Sequence, residues 1–345
     1  MTGKFKIFFQ IGGIVFLALF AAFVAAQAKP FTAKIVSSIF SHSSASAAAV
    51  ANVAKPSNNE INEEDPDATH VSGFSSVYSF NPGTVDIESE DNAWIVPAIT
   101  GPLTASEYLV LDLHSGAILE YKDIDRVVPV ASLTKLVTAE VSRQLMAPDK
   151  EITITDAMLA AYGSNGHLRE GEEISASELL YPLFLVSSND SAEALAQGYE
   201  ADPTKSRKDF IRAMDDWVHS IGAYHTDFYD PSGLSSLTVS TARDQMAILE
   251  WIHKNDPALL AITQLRSATV RLHTWTNSTH FMNLSNYVGG KDGFIPEAGQ
   301  TADSLFSAGG NTTASSSPAR YLIVVLGSQN RDNDVLFLLK KVQGK

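Results

Sequence analysis

The feature that most limits the folds open to this chain is the order in which two hydrophobic periods appear after residue 92. "EYLVLDL" and "AILEYKD" flank "HSG", which reads as two strands joined by a tight turn. A helical middle follows, with a helix expected to open at Ser132. "SASELLYPLFLV" keeps a helical pattern despite Pro182, and "NDSAEALAQGY" follows it as a second helical piece. "KSRKDFIRAMDDWVHSIG" sets Phe210, Met214, Trp217, Val218 and Ile221 on one face, and "STARDQMAILEWIHK" predicts a further helix. The pattern then returns to strands in "ATVRL", "YVGGKDGF", "SLFSAGG" and "RYLIVVLGS", before a closing helix in "DNDVLFLLKKV". Strands at both ends with helices between them imply an α/β (α+β) three-layer fold, an antiparallel β-sheet flanked by helices on both faces.

The preceding residues are not expected to join that core. "MTGKFK" is short and basic, and residues 7–28 run on without a charge. Such a run is long enough to cross a bilayer, which takes about 20 apolar residues. It ends in Ala26-Gln27-Ala28, a small-x-small pattern that a signal peptidase could cut. Its length favours an uncleaved membrane anchor, with a signal peptide as the other reading, and Lys4 and Lys6 point to a cytoplasmic N-terminus. Residues 29–91 are rich in Ser, Ala, Asn and acid and poor in aromatics, which predicts a disordered linker. Taken as flexible over about 60 residues, it would reach roughly 40–45 Å. The expected organisation is therefore anchor or signal at 1–28, linker at 29–91 and one catalytic domain at 92–345.

Composition narrows the function. The chain has 25 basic and 39 acidic residues, a formal charge of −14, with no Lys/Arg-rich run, so a nucleic-acid partner is not expected. Absence of cysteine excludes disulfides, thiolate nucleophiles and Cys-ligated metals. No G-x-S-x-G or H-E-x-x-H occurs, which disfavours a Ser-His-Asp hydrolase and a zinc peptidase.

Ser132 and Lys135 stand three apart in "VPVASLTKLVTAEV". On a helix such positions share a face, so the lysine amine can reach the serine hydroxyl and act as the base a serine nucleophile requires. That role needs a neutral amine. Against an ordinary pKa near 10.4, neutrality at pH 7 costs about 4–5 kcal/mol, so burial and a second cation are required. A bare S-x-x-K is mostly a capped helix start with a solvated lysine. Two further matches change its weight: Ser187-Ser188-Asn189 after an apolar helix, and Lys291-Asp292-Gly293 on an expected strand. Alone, the first could be helix-junction polar residues and the second an edge lysine that blocks aggregation.

Together, in this order, the three motifs resemble those of the low-molecular-mass penicillin-binding proteins, the serine D-alanyl-D-alanine carboxypeptidases that share a β-lactamase/transpeptidase-like fold. The resemblance runs from about Ala93 to the C-terminus and includes "LREGEEIS", "DPSGLS" and "RYLIVVLGS". It implies Ser132 as the acylated nucleophile, Lys135 as its base and Ser187 as the proton relay to the leaving D-alanine. It further implies Asn189 holding the substrate amide and Lys291 raising the local positive potential. Gly293 would admit the substrate backbone, and the N–H groups of Ser132 and Phe294 would form the oxyanion hole. Peptidoglycan stem peptides become the expected substrate, β-lactams the covalent inhibitors, and no cofactor is implied.

The sequence also departs from that family. Asp292 stands where a threonine that helps bind the terminal carboxylate is usual, and Ile295 where a hydroxyl is frequent. An ionised Asp292 about 4 Å from a substrate carboxylate would cost about 4 kcal/mol at an effective dielectric near 20, roughly a thousandfold in affinity. Three ways out are open: Asp292 turns away, is neutralised by Lys291 or an arginine such as Arg320, or meets a substrate without that carboxylate. Many relatives continue into a C-terminal β-domain and an amphipathic helix, whereas this chain stops one helix after "RYLIVVLGS", and the N-terminal run is expected to serve as anchor instead. Two competing readings remain. A wall-binding or sensor homologue with impaired chemistry draws on Asp292. A β-lactamase lacks an evident deacylating glutamate between Asn189 and Lys291.

Overall fold

The structure, a computed structural model, describes residues 97–163, 165–308 and 319–344. The apolar run 7–28 and the linker 29–91 lie outside the described residues. Among the described residues no helix is long and apolar enough to cross a membrane.

The opening hairpin forms as expected, with β1 (Glu107–Asp112) and β2 (Ala117–Lys122) joined through a turn in which Gly116 has φ +72°. β3 (Val128–Pro129) then leads to a 3₁₀ turn, Ala131–Leu133, and to α1 (Thr134–Leu145). Ser132 therefore does not open the α-helix; it sits in the tighter turn before it. A ribbon of β4 (Glu151–Thr153) and β5 (Glu173–Ser175) encloses the single turn α2 (Asp156–Leu159). α3 (Ala176–Leu185) starts at a capping box, with Glu178 N–H donating to Ser175 Oγ and Ser175 N–H to Glu178 Oε2. It contains Pro182, and it is followed closely by α4 (Asn189–Gly198). α5 (Pro203–Ser220) buries Phe210, Met214, Trp217 and Val218, the stripe that its 3.6-residue period predicts. β6 (Val239–Ser240) pairs with β3 and precedes α6 (Ala242–Asn255) and α7 (Pro257–Thr263). A separate hairpin, β7 (Ser267–Val270) and β8 (His273–Thr276), holds the segment read as "ATVRL". The long strands β9 (Tyr287–Ile295), β10 (Gly299–Ser307) and β11 (Ala319–Ser328) and the helix α8 (Arg331–Gln343) close the domain.

The main sheet has the order β2-β1-β11-β10-β9 and is antiparallel throughout. Its alternating side chains divide between two cores. Leu109, Leu111, Leu305, Leu322, Val324 and Leu326 pack with the helical middle, whereas Val110, Ala302, Phe306, Ile323 and Val325 pack with Val335, Leu338 and Leu339 of α8. Because both faces are covered, β11 is apolar almost without a break. The fold is the three-layer α/β arrangement that the order of periods implied. Its consequence for function is positional. β9 is left at the edge of the sheet, beside the 3₁₀ turn that carries Ser132.

Candidate active site

Lys135 lies one turn after Ser132, and its whole side chain is buried. Its Nζ reaches Ser132 Oγ at 2.9 Å, Asn189 Oδ1 at 2.7 Å and the carbonyl oxygen of Ser232 at 2.8 Å. Burial drives its pKa well below that of an ordinary lysine, and the positive charge of Lys291 pushes it further down. Asp230, Asp190 and Asp292 oppose this by favouring the charged form, but they do not outweigh it.

The backbone around Ser132 is forced into place. Ala131 has φ +52°, unusual for a residue with a Cβ, and Thr134 Oγ1 donates to its carbonyl oxygen at 2.7 Å. Gly233 packs against the same carbonyl so closely that a Cβ at position 233 would lie 1.8 Å from Ala131 O. Its own φ of +78° also demands glycine. The turn bearing Gly233 is built on one carboxylate. Asp230 Oδ1 accepts from the N–H and hydroxyl of Ser232 and from the N–H of Gly233, and Oδ2 accepts from Ser235 N–H. Burial would raise the Asp230 pKa, yet these donors hold it below the usual carboxylate range. The outcome is a fixed Ser232 carbonyl facing Lys135. Thr138 Oγ1, one turn further along α1, ties down the adjoining Pro231 carbonyl at 2.5 Å.

The junction of α3 and α4 supplies the next wall. Pro182 O accepts from both Val186 N–H and Ser188 N–H, which turns the chain sharply after α3. Ser187 takes φ +54° in that turn and is half-buried, and Ser188 caps α4 by accepting from Ser191 N–H. Among the described residues no hydrogen bond joins the Ser187 hydroxyl to Ser132 or Lys135. Asn189 is fully engaged: its Oδ1 accepts from Lys135 and its Nδ2 donates to Tyr162 O at 2.7 Å. As it stands the side chain positions the lysine, and holding a substrate amide would require exchange of the Tyr162 contact.

β9 forms the facing wall. A Cβ on Gly293 would meet Ser132 N at 2.7 Å, so only glycine lets the strand approach the serine this closely. Thr301, paired with Gly293 on β10, donates from Oγ1 to Val130 O at 3.1 Å and fixes the lead-in to the turn. Lys291 is buried, which lowers its pKa, and Nζ donates to Asp292 O at 2.5 Å and to Asp292 Oδ1 at 3.1 Å. Arg331, the first residue of α8, holds the other carboxylate oxygen, with Nη2 2.9 Å from Asp292 Oδ2, and its Nη1 donates to Gly293 O at 2.9 Å. Burial would raise the Asp292 pKa, but Lys291 and Arg331 prevail and hold it down to about 2. The arginine in this contact is therefore Arg331. Arg320 instead bonds Asp112 Oδ2 at 3.0 Å across the β1–β11 pair, too far along the sheet to serve β9. Phe294 is exposed beside Gly293, and Ile295 is buried. Among the described residues no group of three or more His, Asp or Glu is arranged to hold a metal ion.

A profile of the D-alanyl-D-alanine carboxypeptidases, peptidase family S11, matches residues 96–329. The chain belongs to this family. The S11 region is 30% identical over 210 residues to a D-alanyl-D-alanine endopeptidase of Pseudomonas aeruginosa, covering 57% of this chain and 65% of that protein. Similarity to a D-alanyl-D-alanine carboxypeptidase of Streptomyces sp. strain K15 is 28% over 235 residues, 62% of this chain and 81% of the other. In three dimensions the chain is similar to the crystal structure of the Streptomyces K15 DD-transpeptidase, with TM-score 0.63 at 23% identity, over 72% of this chain and 99% of that one. A D-alanyl-D-alanine carboxypeptidase from Mycobacterium tuberculosis gives TM-score 0.60 at 24% identity over 72% of this chain and 96% of the other. At such identities these structures establish the shared fold.

Within the S11 domain, the three motifs predict Ser132, Lys135, Ser187, Asn189, Lys291, Asp292, Gly293 and Phe294 as site residues. Direct contacts join Ser132, Lys135 and Asn189, and separately Lys291, Asp292 and Gly293 with Arg331. Asp230, Ser232 and Arg331 were not assigned roles. Asp-Pro-Ser-Gly carries a detectable signal, an aspartate able to bond the backbone two residues on ahead of a glycine. Arg331 carries none, since nothing local tells that helix start from any other.

Proposed function

We propose that the chain is a serine-type peptidase that attacks D-alanyl bonds of peptidoglycan stem peptides through an acyl-enzyme on Ser132. The observation that carries the reading is the surroundings of Lys135 Nζ. A neutral amine has two N–H donors and one lone pair. The two carbonyl oxygens, Asn189 Oδ1 and Ser232 O, match the two donors, which leaves the lone pair for the Ser132 hydroxyl at 2.9 Å. Burial and Lys291 supply the low pKa that this form needs.

In the proposed sequence Lys135 takes the Ser132 proton as Oγ bonds to the D-alanyl carbonyl carbon. Negative charge collects on the carbonyl oxygen beside the Ser132 and Phe294 N–H groups. The C–N bond then breaks, the proton passes to the leaving amine with Ser187 as relay, and water later hydrolyses the ester. β-Lactams enter at the same carbonyl position and acylate Ser132. The reaction is placed on the outer side of the cytoplasmic membrane, with residues 1–28 as anchor. S11 relatives named endopeptidase and carboxypeptidase both support a D-alanyl bond as the target.

The test is D-alanine release from a pentapeptide stem, with the intact mass read after exposure to a β-lactam. Release and a one-to-one adduct, both absent in Ser132→Ala, are expected. Folded protein that yields neither would overturn the reading in favour of a non-catalytic wall-binding homologue.

A further inference from the structure

An ionised carboxylate belonging to the protein already occupies the place where this site could receive an anion. Among the described residues Lys291, from the Lys-Asp-Gly segment itself, and Arg331 are the cations that bond Asp292, each to a different oxygen. The Asp292 side chain is about nine-tenths buried, and Arg331 also grips the Gly293 carbonyl, so the carboxylate is clamped between strand β9 and the start of α8. Gly293 in turn packs on Ser132, which puts the clamp one residue from the strand's contact with the nucleophile. Lys135 adds no positive charge once it is neutral. The site therefore offers an arriving substrate no uncommitted cation among these residues.

We propose that Asp292 is a specificity-determining residue which, by satisfying Lys291 and Arg331 from within, directs the site toward D-alanyl bonds whose leaving amine carries no adjacent free carboxylate. This rests on the serine-peptidase reading above and names its substrate class. A terminal D-alanine would bring its own carboxylate beside Asp292 and would have to displace it from both cations. The amide of D-alanine with an amine that lacks that carboxylate meets no such competitor. Such an amine is a lysine-type side-chain amine of a neighbouring stem peptide, or one whose adjacent carboxyl is amidated. Bond changes are those of the acyl transfer already described: Ser132 Oγ–C forms, C–N breaks, and the amine leaves with the proton. Asp292 takes no part in the proton movement.

The test compares two peptides on the full chain, diacetyl-L-lysyl-D-alanyl-D-alanine and its C-terminal amide, with kcat/KM measured for each. Acylation by benzylpenicillin and by its methyl ester, followed by intact mass, repeats the comparison on a second electrophile. The unaltered protein is expected to favour the neutral partner of each pair by at least about tenfold, the scale of a single partly screened charge contact. Asp292→Asn keeps the shape while removing the charge, and it should bring the ratio to one or reverse it. Equal rates, or a preference for the free acids, in the unaltered protein would overturn the proposal and leave the peptidase reading intact, whatever the variant does. Absence of turnover and of any adduct with all four probes would overturn the peptidase reading, and this proposal with it.

Discussion

Lys135 Nζ has three oxygen neighbours, and its protonation state decides what each of them receives. In the proposed mechanism the neutral form of Lys135 grows as pH rises through its depressed pKa, and the acylation rate should grow with it, so an acid limb set by this residue is expected. Lys291 is one cause of the depression, after burial. Lys291→Met should shift that limb to higher pH, visible in the pH profile of β-lactam acylation; an unmoved limb would separate Lys291 from the base. Gly233 provides a steric counterpart. Gly233→Ala must push the Ala131 carbonyl away from a 1.8 Å clash and thereby move Ser132. A loss of acylation of at least a hundredfold is expected, with far-UV circular dichroism unchanged. Both residues show where reading the sequence stops. The spacing of Ser132 and Lys135 was visible because helix geometry is local, whereas the Ser232 carbonyl reaches Lys135 from 97 positions away through a turn that only the folded chain brings near.

Secondary structure was legible wherever a period ran for several residues. The stripe on α5 and the apolar run of β11 each identify themselves. The two- and three-residue strands of β3–β6 and β4–β5 are shorter than any detectable period and owe their pairing to neighbours, so nothing in the sequence marked them. Ser132 was misplaced by one small step for a related reason. A serine followed by an apolar-periodic run looks like a cap, but Thr134 bonding back to Ala131 tightens the first turn to 3₁₀. α3 begins at a true capping box, and Ser175→Ala should cost about 1 kcal/mol in urea denaturation. A negligible change would mean that the β4–β5 ribbon, and not the cap, fixes the start of the helix.

At the scale of the domain, Asp303 stands out among the described residues as a buried carboxyl with both oxygens unpartnered. It lies on β10 opposite Lys291 in the strand register and is fully buried. Burial raises its pKa well above the usual carboxylate value. The folded state thus keeps a proton that the unfolded state gives up from about pH 3.9 upward, and stability falls as pH climbs from there toward the raised pKa. Asp303→Asn should leave the melting temperature near pH 4 almost unchanged and raise it at pH 8. Equal shifts at both pH values would show that charge is not the cause. The three layers themselves could be inferred from the order of periods, but the position of one carboxyl in the sheet could not, because alternation says which face a residue takes and not what awaits it there.

The strand order has a consequence in time. β1 lies between β2 and β11, so the first hairpin made has no neighbour until the last strand has been synthesised. About 200 residues separate them, which at 5–20 residues per second is roughly 10–40 s of translation. For most of that interval, until β9 (Tyr287–Ile295) is made, Ser132 and Lys135 exist on the nascent chain without Lys291 or the edge strand. An unfinished copy has the proposed nucleophile but not the surroundings that would arm it.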